Sequence, residues 1–304
     1  MEPAPAGRAP TRLRLWIAFG AVYVIWGSTY LAIRFAIETL PPLWMAGVRY
    51  LVAGAVLVIW QRARGTPWPT ALEWREATVV GGLMLLGGNG GVCWAEQIVP
   101  SGVAALFISA VPIWIVLLDW LWQGSVRPSR RIVIGLALGI GGVALLVHTG
   151  GAPGGAAPPL GAAVLLLAAG LWGAGSLYSR RAKLPTSPFL AIGMEMVAGG
   201  ALLLLAGAVL GEWSKINPSA ASARSLFSLL YLITFGSLVG FSAYIWLLRA
   251  TTPARASTYA FVNPVVAMFL GWALAGEVLT LRTLSAAAVA ITGVALIISA
   301  QTAR

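Results

Sequence analysis

Cysteine and histidine are almost missing: Cys93 and His148 are the only ones in 304 residues. One cysteine forbids an internal disulfide, and one histidine among so few acids argues against a zinc site built by the protein. Acids are scarce as well, nine Asp and Glu in all, and the only lysines, Lys183 and Lys215, are followed by Leu and Ile. A Walker A loop needs Gly-Lys followed by Ser or Thr, so no ATPase is encoded. HExxH cannot be written with one histidine, and a pair of intramembrane aspartates cannot be written with Asp119 alone. Gly240-Phe-Ser242 with His148 is the nearest approach to a nucleophile and base, and Gly139-Ile-Gly-Gly-Val-Ala144 lacks the strand and turn that would make it a nucleotide loop. These gaps set enzymes aside and imply no cofactor.

What the chain does hold is apolar. Hydrophobic residues make up 59%, charged residues 10%, and mean hydropathy is +0.86, against about 25% charged residues in a soluble globule. This is the composition of a polytopic membrane protein. An apolar core needs about 20 helical residues per crossing, and ten segments reach that range. They run at 15 to 37, 42 to 61, 77 to 96, 102 to 122, 131 to 148, 160 to 179, 187 to 210, 226 to 248, 254 to 275 and 281 to 300. Pro41, Pro100, Pro128, Pro185 and Pro253 fall at the breaks, where a missing N–H and a ring clash stop a helix. The first segment has no short h-region or small-residue cleavage site, so it is expected to remain in the chain. The net charge of +11 is spread between apolar segments rather than gathered on one domain, which excludes a nucleic-acid face and leaves the lipid bilayer as the partner. Nothing here sets an oligomeric state.

Lys and Arg at segment ends report topology, because they are kept on the cytoplasmic side. With the N-terminus inside, fifteen fall on that side and only Arg34, Lys215, Arg224 and Arg282 on the other, with Arg49 left inside the second segment. Both termini are therefore expected in the cytoplasm of a cell whose plasma, or inner, membrane holds the protein. The stretch WGSTYLAIRFA at Trp26 returns as WGAGSLYSRRA at Trp172, with Trp, Gly, Leu, Arg and Ala in register. Val52-Ala53-Gly54 matches Val197-Ala198-Gly199, Pro112 matches Pro264, and Gly142-Val143-Ala144-Leu145 matches Gly293-Val294-Ala295-Leu296. Two halves built alike follow: 1 to 149, a Gly/Ala/Pro linker at 150 to 159, and 160 to 304. Five segments per half is odd, so the second half must enter from the opposite side. The predicted fold class is all-α, ten transmembrane helices in two inverted five-helix repeats, with a substrate site near the midplane.

These motifs resemble the drug/metabolite transporter superfamily, specifically the EamA-type exporters. The carriers are the WGS motif after the first apolar run, the prolines in segments four and nine, and Gly276-Glu277 followed by the closing Gly-Val-Ala-Leu. One departure is Gly124-Ser125 where the second half has Gly276-Glu277. The resemblance covers nearly the whole chain and implies a secondary transporter that exports amino acids or similar small metabolites by alternating access. A nucleotide-sugar or phosphate-ester carrier would need buried cationic groups, of which only Arg49 is clearly intramembrane. A channel or an intramembrane enzyme is the reading from another class.

Candidate site residues follow from depth and repeat position. Trp26 or Tyr30 and Trp172 or Ser176 sit at equivalent depths and are expected to line one central cavity, with Tyr244 and Tyr259 nearby. Asn89, within Gly87-Gly88-Asn89-Gly90-Gly91, and Asn263, before Pro264, offer amides to a zwitterion. That glycine run reads either as a packing face or as a broken turn. Pro112 and Pro264 each leave a carbonyl unbonded and are candidate bending or gating points. Asp119 and Glu277 read as interfacial or paired with an Arg. Glu195 is the only acid well inside a segment, and Arg49 occupies the near-equivalent place in the other repeat, so the two are possible partners. The favoured expectation is a positioning role for Glu195 and uncoupled transport.

Overall fold

A computed structural model of the chain describes residues 12–123, 129–146, 157–250 and 259–302. His148, most of the linker, Gly124-Ser125, Pro128, Pro253 and both chain ends lie outside the described residues. The regular elements within them are helices. In chain order these are α1 (Arg12–Ala36), α2 (Pro42–Ala63), α3 (Ala71–Ala95), α4 (Ser101–Ile108 and Val111–Gln123), α5 (Arg130–Leu146), α6 (Pro159–Ser179) and α7 (Pro188–Val209). There follow α8 (Ala223–Tyr231, Leu232–Val239 and Gly240–Ala250), α9 (Tyr259–Ala275) and α10 (Leu281–Thr302). Where the sequence predicts ten crossings, seven helices among the described residues are long and apolar enough, with shorter apolar helices over Val262–Ala275 and Leu281–Ile297. Large apolar side chains such as Trp16, Val209 and Leu281 are three-quarters exposed or more, which suits a lipid-facing surface.

Helix starts follow the proline positions. Pro42, Pro159 and Pro188 sit in the first turn of α2, α6 and α7, where the absent N–H has no partner to lose. The start of α3 instead carries a capping box, with Glu73 N donating to Thr70 Oγ1 at 3.2 Å and Thr70 N donating to Glu73 Oε2 at 2.7 Å. Two features depart from straightforward α-helix. Both α3 (Gly82–Gly90) and α8 (Leu232–Val239) contain a π-wound segment, at corresponding places in the two halves. The glycine run of α3 is thus wound into a wide turn without a break, and its glycines serve close packing: Gly87 faces Leu171, Gly88 faces Trp172 and Gly91 faces Ala168 of α6.

Pro112 does not bend a continuous helix. The chain turns at Ser109-Ala110, and Pro112 is the second residue of the next helical piece, where it displaces no intrahelical bond. Ser109 Oγ donates to Leu106 O at 2.7 Å across the turn. Pro264, by contrast, lies inside α9.

The halves are clasped through glycine. On α2 and α7, a Cβ added at Gly54 would lie 2.6 Å from Gly193 O, and one at Gly200 would lie 2.6 Å from Leu51 N and 2.9 Å from Gly47 O. The spacing that relates Trp26 to Trp172 also relates Gly47 to Gly193 and Gly54 to Gly200, one residue beyond the Gly199 that the Val-Ala-Gly match pairs with Gly54, so at this register exchanging the halves turns one contact into the other. On α5 and α10, Gly135 meets Gly293 O and Gly142 meets Ala286 O, and the spacing of Gly142 to Gly293 likewise relates Gly135 to Ala286. Such reciprocal contacts mark a two-fold relation. Further packing follows the same exchange: α1 lies against α8 and α9, while α6 lies against α3 and α4.

Gly54→Ala and Gly200→Ala should therefore each lower the thermal unfolding midpoint in detergent, by the equivalent of about 1–3 kcal/mol for overpacking. Gly20→Ala, with nothing within 4 Å of the added Cβ, should leave the midpoint unchanged or raised.

Candidate functional site

Where α1, α3, α4 and α9 end or begin together, polar groups are held in a dry setting. Glu277 accepts from Ser101 N at 2.7 Å through Oε1 and from Gly102 N at 3.1 Å through Oε2, capping α4. It is half-buried and, among the described residues, not paired with an arginine, which was one of the two sequence expectations; free N–H groups at a helix start draw the carboxylate. Gly276 makes this possible, since its φ of 67° belongs to the left-handed region that favours glycine, and Glu277 N then returns to Gly271 O at 3.0 Å. Glu212 caps α2 in the same manner, accepting from Leu43 N and Trp44 N, each at 2.9 Å. Both acids lie in the second half and cap helices of the first. Close by, Glu96 is fully buried; its backbone carbonyl accepts from Arg34 Nη1 at 3.1 Å, while both its carboxylate oxygens and Ser101 Oγ have no hydrogen-bond partner. The sequence reading missed Glu96 because it stands at a segment end, where solvation is the ordinary expectation.

Deeper in the bundle, α1, α8 and α9 enclose an aromatic cluster. The Trp26 ring lies 5.2 Å from Phe241, 5.1 Å from Tyr244 and 5.0 Å from Tyr259, and the two tyrosine rings are 5.6 Å apart. Trp26 Nε1 donates to Gly236 O at 3.2 Å. That carbonyl belongs to the π-wound segment of α8. Tyr30 follows one turn along α1, half-buried. Asn263 is buried with Oδ1 unpartnered, and its backbone carbonyl lies against Gly27. Of the predicted residues, Trp26, Tyr244 and Tyr259 are thus brought together, with Asn263 packed against α1 beside them.

Trp172, Ser176 and Asn89 belong to the α3–α6 side. Trp172 packs over Gly88, Ser176 Oγ donates to Trp172 O at 2.7 Å, and Asn89 Oδ1 accepts from Cys93 Sγ at 3.5 Å. Trp172 is not among the rings that touch Trp26.

Arg49 is only 3% exposed. Its Nε donates to Ser237 Oγ at 2.9 Å and its guanidinium carbon lies 4.7 Å from the Tyr50 ring centroid, but Nη1 has no partner. Glu195 is not its counter-ion: the ion pairs among the described residues are Arg75 with Glu76 and Arg224 with Glu38. Two open grooves lie beyond this region, neither of them lined by Arg49 or Ser237. One of about 320 Å³ is lined by Val56, Leu57, Trp60, Phe189, Leu238 and Ser242, and one of about 740 Å³ lies between α1 and α8. They share Leu238 and Ser242.

The model of the EamA-like transporter family matches this chain twice, over residues 14–148 and 159–299. The chain belongs to the EamA-like transporter family. The match limits agree with the two halves that the helix contacts exchange. Among relatives of this EamA-like chain, the uncharacterized inner membrane transporter YedA of Escherichia coli K12 is 39% identical over 269 residues, 88% of this chain and 85% of its own. The uncharacterized transporter YvbV of Bacillus subtilis is 26% identical over 94% of this chain and 92% of its own. A probable amino-acid metabolite efflux pump of Salmonella typhimurium is 26% identical over 90% of each chain. A solved crystal structure covering 96% of this chain and 99% of its own superposes with a TM-score of 0.65 at 20% identity, a likeness of fold. The protein is a multi-pass membrane transporter.

Removing the α4 cap tests the local geometry. Glu277→Ala should cost about 1–2 kcal/mol of stability, read as a lower unfolding midpoint. Glu277→Gln keeps an acceptor oxygen and should recover part of it.

Proposed function

We propose that the protein is a secondary transporter that exports amino acids or similar small metabolites across the plasma membrane by alternating access. The observation that carries this reading is the exchange of helix contacts between the halves around an aromatic and polar interior, in a chain whose relatives are transporters. The amino-acid class draws support from the efflux-pump relative. Ten crossings are proposed, five in residues 1 to 149 and five in 160 to 304, joined by 150 to 159, with the second half inverted and both termini cytoplasmic. The fifteen-to-four distribution of Lys and Arg supports this orientation.

The proposed solute contacts are Trp26, Tyr30, Tyr244, Tyr259 and Asn263 on one side and Trp172, Ser176 and Asn89 on the other. The break before Pro112 and the proline within α9, Pro264, are proposed points of movement. A phosphate-ester solute is disfavoured, because Arg49 is the one buried arginine among the described residues and a dianion calls for more cationic partners.

Counterflow in proteoliposomes tests the reading across labelled amino acids, nucleosides and sugars. Saturable exchange of an amino acid is expected, indifferent to an imposed pH gradient and retained in Glu195→Gln. Flux without saturation would indicate a channel, and no flux for any solute would refute transport of these classes. Accumulation that follows the proton gradient and vanishes in Glu195→Gln would overturn uncoupled transport.

A further inference from the structure

We infer that Arg49 and Ser237 form an anion subsite that holds the carboxylate of the transported solute; the inference rests on the transport reading above. A guanidinium has five N–H donors and stays charged at any physiological pH. Held inside the membrane such a charge is costly, and groups of this kind are ordinarily paired. Here one donor is satisfied by a neutral hydroxyl, Ser237 Oγ, and one face by the Tyr50 ring, while Nη1 is buried with no acceptor. A merely structural arginine would be expected to use its remaining donors on carbonyls at helix ends or on an acid. This one does not.

Among the described residues, the ion pairs do not include Arg49. Glu38 pairs with Arg224, Glu76 with Arg75 and Tyr178, and Glu212 and Glu277 cap helices. Glu96 sits at the end of α3 with its carboxylate unpartnered, only its backbone carbonyl accepting from Arg34. Glu195 lies on α7 with its backbone carbonyl against Gly81 of α3, whereas Arg49 reaches α8. The positive charge is left for a ligand.

The π-wound segment of α8 builds the other wall. Gly236 brings backbone so close that an added Cβ would lie 3.0 Å from Arg49 Nη2 and 3.1 Å from Thr29 Cγ2. The Gly236 carbonyl accepts from Trp26, tying the subsite to the aromatic cluster. Leu238, next in sequence to Ser237, lines both open grooves, and Val56, which lines one of them, lies two turns along α2 from Arg49. A planar carboxylate matches a guanidinium edge with two N–H donors, and its single charge balances a single arginine. A phosphate dianion would be left half compensated.

The test compares leucine, phenylalanine and threonine with their amides in proteoliposomes. For the parent protein the acids are carried and the amides bind at least tenfold more weakly. Arg49→Gln is expected to raise the half-saturation concentration of the acids at least tenfold and to erase the preference over the amides, with Arg49→Lys recovering part of it. Equal loss for acids and amides, or no loss, overturns the subsite. If Arg49→Gln does not fold, thermal stabilisation of the parent protein and of Ser237→Ala decides: acids should stabilise the parent more than amides, with a smaller difference in Ser237→Ala. Equal stabilisation overturns the inference. Saturable flux that ignores the carboxylate refutes the subsite alone, whereas flux of no solute refutes the transport reading.

Discussion

Backbone contact between α2 and α7 is the constraint on which the rest of the bundle depends. In lipid the hydrocarbon around a helix is as apolar as its side chains, so association rests on close packing rather than on burial from water. Glycine at Gly47, Gly54, Gly193 and Gly200 removes the side chains that would hold the axes apart. Because the partners come from different halves, the same contacts that fix two helices also fix the two repeats. The α5–α10 contact repeats the arrangement with Gly135, Gly142 and Gly293. The helices outside these pairs include those with π-wound turns, α3 and α8, a mid-helix break, α4, and an internal proline, α9.

A second constraint is the backbone groups that helix ends leave open. Each free N–H needs an acceptor. Proline removes one donor in the first turn of α2, α6 and α7; Glu212 and Glu277 accept from two donors each on α2 and α4. Charge-assisted hydrogen bonds of this kind are about twice as strong as neutral ones. Since both carboxylates reach across from the second half, parting α9 from α4 exposes two N–H groups and a carboxylate together. The ends of the bundle are coupled to its halves by that chemistry.

How much of this could be read from the chain alone follows the range of the interactions. Apolar length and proline breaks are local, so the helix positions, and the halves recognised through Trp26 and Trp172, were legible. The capping role of Glu277 was not, because its donors stand 175 and 176 residues away, and a local reading supplied interfacial solvation or an arginine instead. The π-wound segments carry no distinctive composition: one is glycine-rich and the other reads LITFGSLV. Glu96 was passed over for its terminal position. Within the candidate site, aromatic depth was enough to group Trp26 with Tyr244 and Tyr259, but side-chain direction was not available to tell that Trp172 turns toward Gly88.

Symmetry of backbone and asymmetry of chemistry meet at Arg49 and Glu195. The spacing that relates Trp26 to Trp172 relates these two residues as well, so one scaffold position carries a cation in the first half and an acid in the second. A pair that neutralised itself across the pseudo-axis would be a structural clasp. The helices do not arrange it so: α2 and α7 meet through their glycines, which sends Arg49 toward Ser237 of α8 while the Glu195 carbonyl lies against α3. Two symmetric halves therefore present unlike walls to the interior. An asymmetric solute, with one charged end and one apolar end, can be oriented only by such a difference, because a perfectly two-fold interior would hold it equally well either way round.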